Sequence, residues 1–183
     1  LKWFGYFSST SVYGNYDGDW VDENSKLVPK TSRGILRRKS EISHLNLFKL
    51  YSLPIHIFRL PGIYGPGRSV FDKVINGQLT EIIKKDHFFS RVYVEDISSA
   101  INRSIKNPTP GEIFNLSDDM PCQSSDIVRY AASLIKISNI KTLSYDDPKL
   151  NEKIRSFYFE NKRVRNSKIK KILDWTPKYG NYK

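Results

Sequence analysis

Two short segments constrain the fold of this chain more than any other feature. Residues 6–14 read Tyr-Phe-Ser-Ser-Thr-Ser-Val-Tyr-Gly, and residues 57–67 read Ile-Phe-Arg-Leu-Pro-Gly-Ile-Tyr-Gly-Pro-Gly. Each is a β-branched and aromatic run that ends in small or turn-forming residues, the pattern of a buried strand whose C-terminal end opens into a loop. A helix-sized stretch separates them. From about Ser32, a plausible N-cap, to Tyr51, the apolar residues Ile35, Ile42, Leu45 and Phe48 fall at helical spacing. In open α/β sheets ligands bind at the carboxyl ends of strands, so the two ends, carrying Ser9 and Gly62, point to a small-molecule site.

The rest of the chain continues the alternation. A polar loop, Asn15 to Pro29, follows the first strand, and Pro54 restarts the chain as the strand Ile55–Leu60. Val70 to Ile75 reads as a short helix ended by Asn76-Gly77, and His87 to Val94 as extended. Asp96 reads as the N-cap of a helix whose Ile97, Ala100, Ile101 and Ile105 share one face, ended by Asn107-Pro108. Glu112–Leu116 reads as a strand, and Ser124 or Ser125 as the cap of a helix to about Ile135. Lys141–Ser144 is a candidate strand, and amphipathic pieces lie around Ile154 and Ile169–Leu173. Strands alternating with helices predict an α/β fold.

Three motifs in order resemble the extended short-chain dehydrogenase/reductase family, in its NAD-dependent epimerase/dehydratase branch. The first is Ser8-Ser9 with Val12-Tyr13-Gly14; the second is Arg59 with Tyr64-Gly65-Pro66; the third is Arg91-Val92-Tyr93-Val94-Glu95-Asp96. The resemblance implies the C-terminal part of a doubly wound, Rossmann-like parallel sheet with a smaller, discontinuous substrate-binding lobe. Residues 1–107 would belong to the NAD(P)-binding domain, with a loop insertion at 61–95, and residues 108–183 mainly to the lobe. The family's opening strand, Gly-x-x-Gly-x-x-Gly turn and helix, which hold a dinucleotide pyrophosphate, have no counterpart here. The expectation is therefore a fragment of a longer protein, and NAD or NADP as a cofactor that needs the missing N-terminal part.

The resemblance also implies roles for particular residues. Enzymes of this kind use a tyrosinate to take a hydroxyl proton, a Ser or Thr to hold the substrate oxygen, and a Lys one turn after the Tyr to favour the tyrosinate. Aligned on Val12-Tyr13-Gly14, the hydroxyl falls at Ser9, against the alternative that Ser9 only satisfies backbone groups at a strand end. Matching Gly34 and Glu41 puts Arg33 at the Tyr position and Arg37 at the Lys position. Arginine keeps its proton at neutral pH, so Arg33 cannot be the base, whereas Arg37 could act as a fixed charge and ribose donor. At one-turn spacing the two could instead clamp a phosphate or carboxylate, or form a solvated basic helix start. A divergent, atypical branch of the superfamily lacks the Tyr but keeps fold and dinucleotide, and Ser32-Arg33-Gly34 with Arg37 resembles it.

Cofactor contacts are expected from Ser8, Arg37, Pro61, Gly62, Ile63 and Tyr64, and substrate contacts from Arg68 and Arg91. The strings Tyr145/Lys149, Tyr158/Lys162 and Tyr179/Lys183 lie downstream of the expected helix and read as chance matches. His44, His56 and His87 have no ligand spacing, and the single cysteine, Cys122, has neither a second cysteine nor a nearby His, so no metal site is expected.

Composition narrows the partners. The 183 residues are 39% hydrophobic and 27% charged, and no run approaches the roughly 18 apolar residues of a membrane span. One cysteine suits a reducing, cytoplasmic compartment. The net charge is +11, and residues 136–171 hold eleven Lys/Arg against four Asp/Glu. No nucleic-acid-binding signature accompanies that charge, so it reads as a solvated face or as suited to anionic ligands. The leading expectation is an NAD(P)-dependent epimerase/dehydratase-like oxidoreductase acting on a sugar, nucleotide-sugar or related hydroxyl or carbonyl compound, with a homodimer as a possible assembly. The alternative is a non-catalytic NAD(P)-binding or sensor protein of the atypical branch.

Overall fold

In the computed structural model, residues 1–76 and 79–183 are described. The first half contains β1 (Phe4–Ser9), a 3₁₀ turn (Thr10–Val12), β2 (Trp20–Val21), α1 (Ser32–Tyr51), β3 (Ile55–Leu60), β4 (Gly62–Tyr64) and α2 (Val70–Ile75). The second contains β5 (Thr80–Ile83), β6 (Arg91–Tyr93), α3 (Val94–Lys106), β7 (Ile113–Asn115), α4 (Ser124–Leu134), β8 (Lys141–Ser144), α5 (Glu152–Ser156), β9 (Arg163–Val164) and α6 (Ser167–Leu173). The Asn76-Gly77 stop is half observed: Asn76 caps α2, and Gly77 lies outside the described residues.

The main sheet has the order β1-β3-β7, all parallel. Phe4 pairs with Ile55 and Ser9 with Leu60, so the C-terminal ends of β1 and β3 are level. Ile55 to Phe58 are fully buried, as expected of a central parallel strand covered on both faces. Three shorter parallel pairs, β2 with β9, β4 with β6 and β5 with β8, extend the layers around the strand ends. The largest core cluster joins Phe58 and Phe114 of the sheet to Ala100 of α3 and to Ile169, Leu173 and Trp175. The range 108–183 is thus less separate than its place in the chain suggests: β7 continues the main sheet, and α6 fills its core.

Several local expectations change. Thr31, not Ser32, caps α1: its hydroxyl accepts from the Gly34 amide at 3.2 Å. A Cβ at Gly34 would meet the Ser11 carbonyl at 2.6 Å, so only glycine lets α1 approach the 3₁₀ turn this closely. The inward stripe of α1 runs through Gly34 and Glu41, while Ile35 and Ile42 are exposed. Gln123 precedes α4 and, with Asp126, forms its capping box, displacing Ser124 and Ser125 from that role. Asp96 is not a cap. Because α3 begins at Val94, Asp96 lies inside the first turn, buried, and its carboxylate accepts from the amides of Lys178 (2.8 Å) and Tyr179 (3.0 Å). The extended run expected over 87–94 shortens to β6, with Phe89 in an isolated bridge to Cys122.

A buried polar network fastens these elements together. Arg59 of β3 holds Glu41 of α1 through Nε (3.1 Å) and Nη2 (2.8 Å), and both residues are 2% exposed. Ser8 of β1 donates to Glu41 Oε1 (2.6 Å), the oxygen that also accepts from Arg59 Nε. Arg59 Nη1 donates to the Tyr13 hydroxyl (2.9 Å), which donates to Asn115 Oδ1 of β7 (2.7 Å). Removing one partner of such a buried pair leaves an uncompensated charge. Arg59→Met should therefore lower the unfolding free energy by about 3–5 kcal/mol, and the double variant Arg59→Met/Glu41→Leu by less, as read by urea denaturation.

Candidate functional site

A cavity of about 600 Å³ opens where β1 and β3 end. Its wall includes Ser9, the 3₁₀ turn residues Thr10 and Ser11, Arg33 at the start of α1, and Pro61 and Gly62 after β3. A second cavity of about 650 Å³ shares Gly62 and Arg68 with the first and continues along Ile63, Tyr64, Tyr93, Arg91 and Tyr182. The parallel register of β1 and β3, and of β4 and β6, brings these separated residues together.

The expected residues divide clearly. Ser9 lines the first cavity while its Oγ accepts from the Ser11 amide at 3.2 Å, so the hydroxyl hydrogen is left to donate. Pro61 and Gly62 lie beside it, and a Cβ on Gly62 would come no nearer than 3.7 Å to the Ser90 carbonyl, leaving an open cradle on the cavity side. Arg33 and Arg68 line the same space, and Ile63, Tyr64 and Arg91 line the second. Ser8 and Arg37 line neither. Ser8 is consumed by Glu41, and Arg37 lies along β1, donating to the Phe7 carbonyl (2.8 Å) and the Tyr6 hydroxyl (3.2 Å). Arg33 and Arg37 therefore do not converge, although they are one turn apart.

Two side chains at the first cavity were not anticipated. Lys162 is 8% exposed and donates to the Gly14 carbonyl (2.9 Å) and to Glu160 Oε2 (2.8 Å). Glu160 Oε1 in turn accepts from the Thr31 hydroxyl at 3.3 Å. Parallel pairing of β9 with β2 carries Lys162 across about the whole sequence to the end of β1. The string Tyr158/Lys162 contained the lysine, but Tyr158 is buried elsewhere, among His87, Phe89 and Tyr145. Phe88, Phe89, Phe157 and Phe159 add an aromatic rim, the last two about half exposed.

Burial tunes the neighbouring groups. Desolvation pushes the Tyr13 hydroxyl up to about 12, against the attraction of Arg59, so it is no base at neutral pH. Burial raises the Cys122 thiol to about 11, although Arg91 Nη1 donates to its sulfur at 3.2 Å. Asp118, behind Arg91, is 2% exposed, and burial raises its carboxyl to about 7. His87 is held neutral by burial and by Lys84 and Lys162, its pKa lowered to about 4. Among the described residues no group of three or more His, Cys, Asp or Glu is placed to hold a metal ion, and no helix is long and apolar enough to cross a membrane.

Parallel strands joined by helices, with a cavity at the level strand ends, define a Rossmann-like α/β fold. The dTDP-D-glucose 4,6-dehydratase of Bos taurus is 24% identical over 196 aligned positions, covering 94% of this chain and 55% of that protein. The structure of a functionally unknown protein from Silicibacter pomeroyi is 44% identical, with a TM-score of 0.93, over 99% of this chain and 63% of that one. The NAD complex of a dTDP-glucose 4,6-dehydratase from Bacillus anthracis has a TM-score of 0.79 at 19% identity, over 96% of this chain and 56% of that one. No protein-family model matches. The chain is a relative, in sequence and in fold, of the NAD-dependent epimerase/dehydratase family of short-chain dehydrogenases/reductases. It spans about half the length of the dehydratases it matches.

The raised Asp118 carboxyl has a sign that can be tested. Its folded pKa of about 7 exceeds the ordinary 3.8, so the native state keeps a proton that the unfolded chain releases. Its contribution is full below about 4 and is lost as pH rises through 7. Asp118→Asn should remove about 2–3 kcal/mol of the stability lost between pH 5 and pH 8. Urea denaturation of both proteins at the two pH values isolates this group from His87, which acts in the opposite direction.

Proposed function

We propose that this chain contributes the substrate-side part of an NAD(P)-dependent oxidoreductase of the epimerase/dehydratase kind, acting on a sugar or nucleotide-linked sugar. The observation that carries the reading is the cavity itself: Ser9, Pro61 and Gly62 meet at the carboxyl ends of adjacent parallel strands, where ligands bind in open α/β sheets. The solved relatives at that fold level include dehydratases and an epimerase in complex with NAD. The Gly62 cradle and the Ser9 hydroxyl fit the nicotinamide end of a dinucleotide, which when bound would accept or return the electron pair of the substrate carbon. Ser9 would donate to the reacting oxygen. Arg91 and Arg68, with Tyr64 and Tyr93 along the second cavity, suit a phosphate-bearing, planar nucleotide. The exposed Ile35, Leu36, Ile42 and Leu50 of α1 offer an apolar surface on which a homodimer would rest.

A second reading rests on a specific departure. Arg33 stands at the cavity where the family resemblance expects a tyrosine, and a guanidinium cannot take the hydroxyl proton. On this reading the protein binds a dinucleotide without turnover and serves as a sensor.

Calorimetric titration of the full-length protein with NAD, NADP and UDP-glucuronic acid separates these readings when combined with a chromatographic assay for the sugar product, because an epimerase or dehydratase returns the hydride and leaves no net reduced nicotinamide. Binding with turnover supports the enzyme, and Ser9→Ala should then lower kcat about 10²-fold, the scale for losing one donor to the reacting oxygen. Binding without turnover on a panel of nucleotide sugars supports the sensor. Absence of dinucleotide binding would sink both.

A further inference from the structure

Four charged side chains line the cavity at the strand ends: Arg33, Arg68, Glu160 and Lys162. Both guanidiniums keep their protons in proteins. Tyr13, the tyrosine of the first motif, does not line the cavity, and its hydroxyl is committed to Arg59 and Asn115. Among the described residues that line the cavity, Glu160 and Lys162 are the remaining charged side chains. On the reading that this cavity takes a hydroxyl- or carbonyl-bearing substrate, we propose that Lys162 exchanges the proton of the substrate oxygen, with Glu160 as its positioning residue.

The geometry favours this role over a plain structural ion pair. Two of the three N–H groups of Lys162 are fixed, one by the Gly14 carbonyl and one by Glu160, leaving the third for a ligand. Gly14 is itself locked, with φ +80 and the Val28 carbonyl 2.3 Å from where a Cβ would sit. Glu160 is held from the other side by Thr31, which also caps α1. The amine is thus tied to rigid parts of the fold, as a preorganised site requires. Burial lowers its pKa, opposed by Glu160, and a buried, perturbed group in a cleft is a candidate for chemistry. Glu160, on its own segment, is the charge in contact with it; Arg33 from α1 and Arg68 from the loop before α2 line the same cavity, and His87, beyond it, is neutral.

In the oxidative direction the neutral Lys162 amine forms an N–H bond with the substrate hydroxyl proton, and the O–H electron pair becomes the second bond of the carbonyl. A bound oxidised nicotinamide, the oxidant class already proposed, would supply the acceptor for the carbon-bound hydrogen and its electron pair. In reverse, the ammonium returns its proton to the oxygen.

Competitive acylation of the protein with acetic anhydride across a pH series, read by peptide mass spectrometry, titrates Lys162 without any turnover. Lys162 should titrate below the ordinary lysine value; an ordinary titration overturns the proposal. In the turnover assay, Lys162→Met and Lys162→Arg should each lower kcat at least 10²-fold, with circular dichroism confirming the fold. Arginine keeps the charge and can keep both fixed hydrogen bonds, so rescue by Lys162→Arg with an unchanged pH profile would reduce the lysine to a structural role and overturn the proposal. Loss of dinucleotide binding by the unmodified protein would count against the functional reading instead, while a depressed Lys162 titration would still support the amine as the proton-exchanging group of the cavity.

Discussion

The Arg59–Glu41 pair is the interaction on which the rest of the molecule depends. It is almost fully excluded from water and links β3 to α1 through two nitrogens of one guanidinium. Charges placed so deeply are costly unless every lone pair and proton is satisfied. Here Ser8, Tyr13 and Asn115 complete the set, and each comes from a different part of the chain. The network therefore fixes the three strands of the main sheet, α1 and the loop after the 3₁₀ turn in one arrangement. That arrangement makes the ends of β1 and β3 level, and the cavity follows from it.

The same network explains why two motif residues serve structure. Ser8 and Ser9 are adjacent on a strand, so their side chains point to opposite faces. Ser8 turns inward to the ion pair and Ser9 outward to the cavity. Arg59 and Glu41 match the family motifs at positions that build the frame of the site and do not line its cavities.

Much of the fold was legible because periodicity and turn chemistry agree with the tertiary structure. α1, β3, α2 and β8 begin and end where apolar spacing, Pro54 and polar breaks put them. The caps were less legible, since Thr31, Gln123 and the start of α3 at Val94 depend on which amides are left free after packing. The inward face of α1 misled because Glu41, a charge, is buried while Ile35 and Ile42 are exposed. At the site, Ser9, Pro61, Gly62 and Arg33 were readable from the ends of adjacent elements. Lys162 and Glu160 were not, because no local pattern announces a pairing between residues more than 140 positions apart, such as Trp20 with Arg163.

That pairing has a consequence for motion. The β2–β9 ladder is two residues long on each side, yet the segment it belongs to is held from several directions. The Asn161 carbonyl accepts from the amides of Tyr16 and Gly18, and its side chain joins the Asp86 carbonyl to the Phe88 amide. The Val164 amide donates to Ser90, and Val164 packs with Val12, Tyr13 and Val21. Local opening costs as much as the buried contacts and hydrogen bonds it must break, so this short ladder opens only together with its neighbours. A ligand entering between the Ser9 wall and the Lys162 wall therefore meets a cast mould, and its fit is decided by shape before any wall moves.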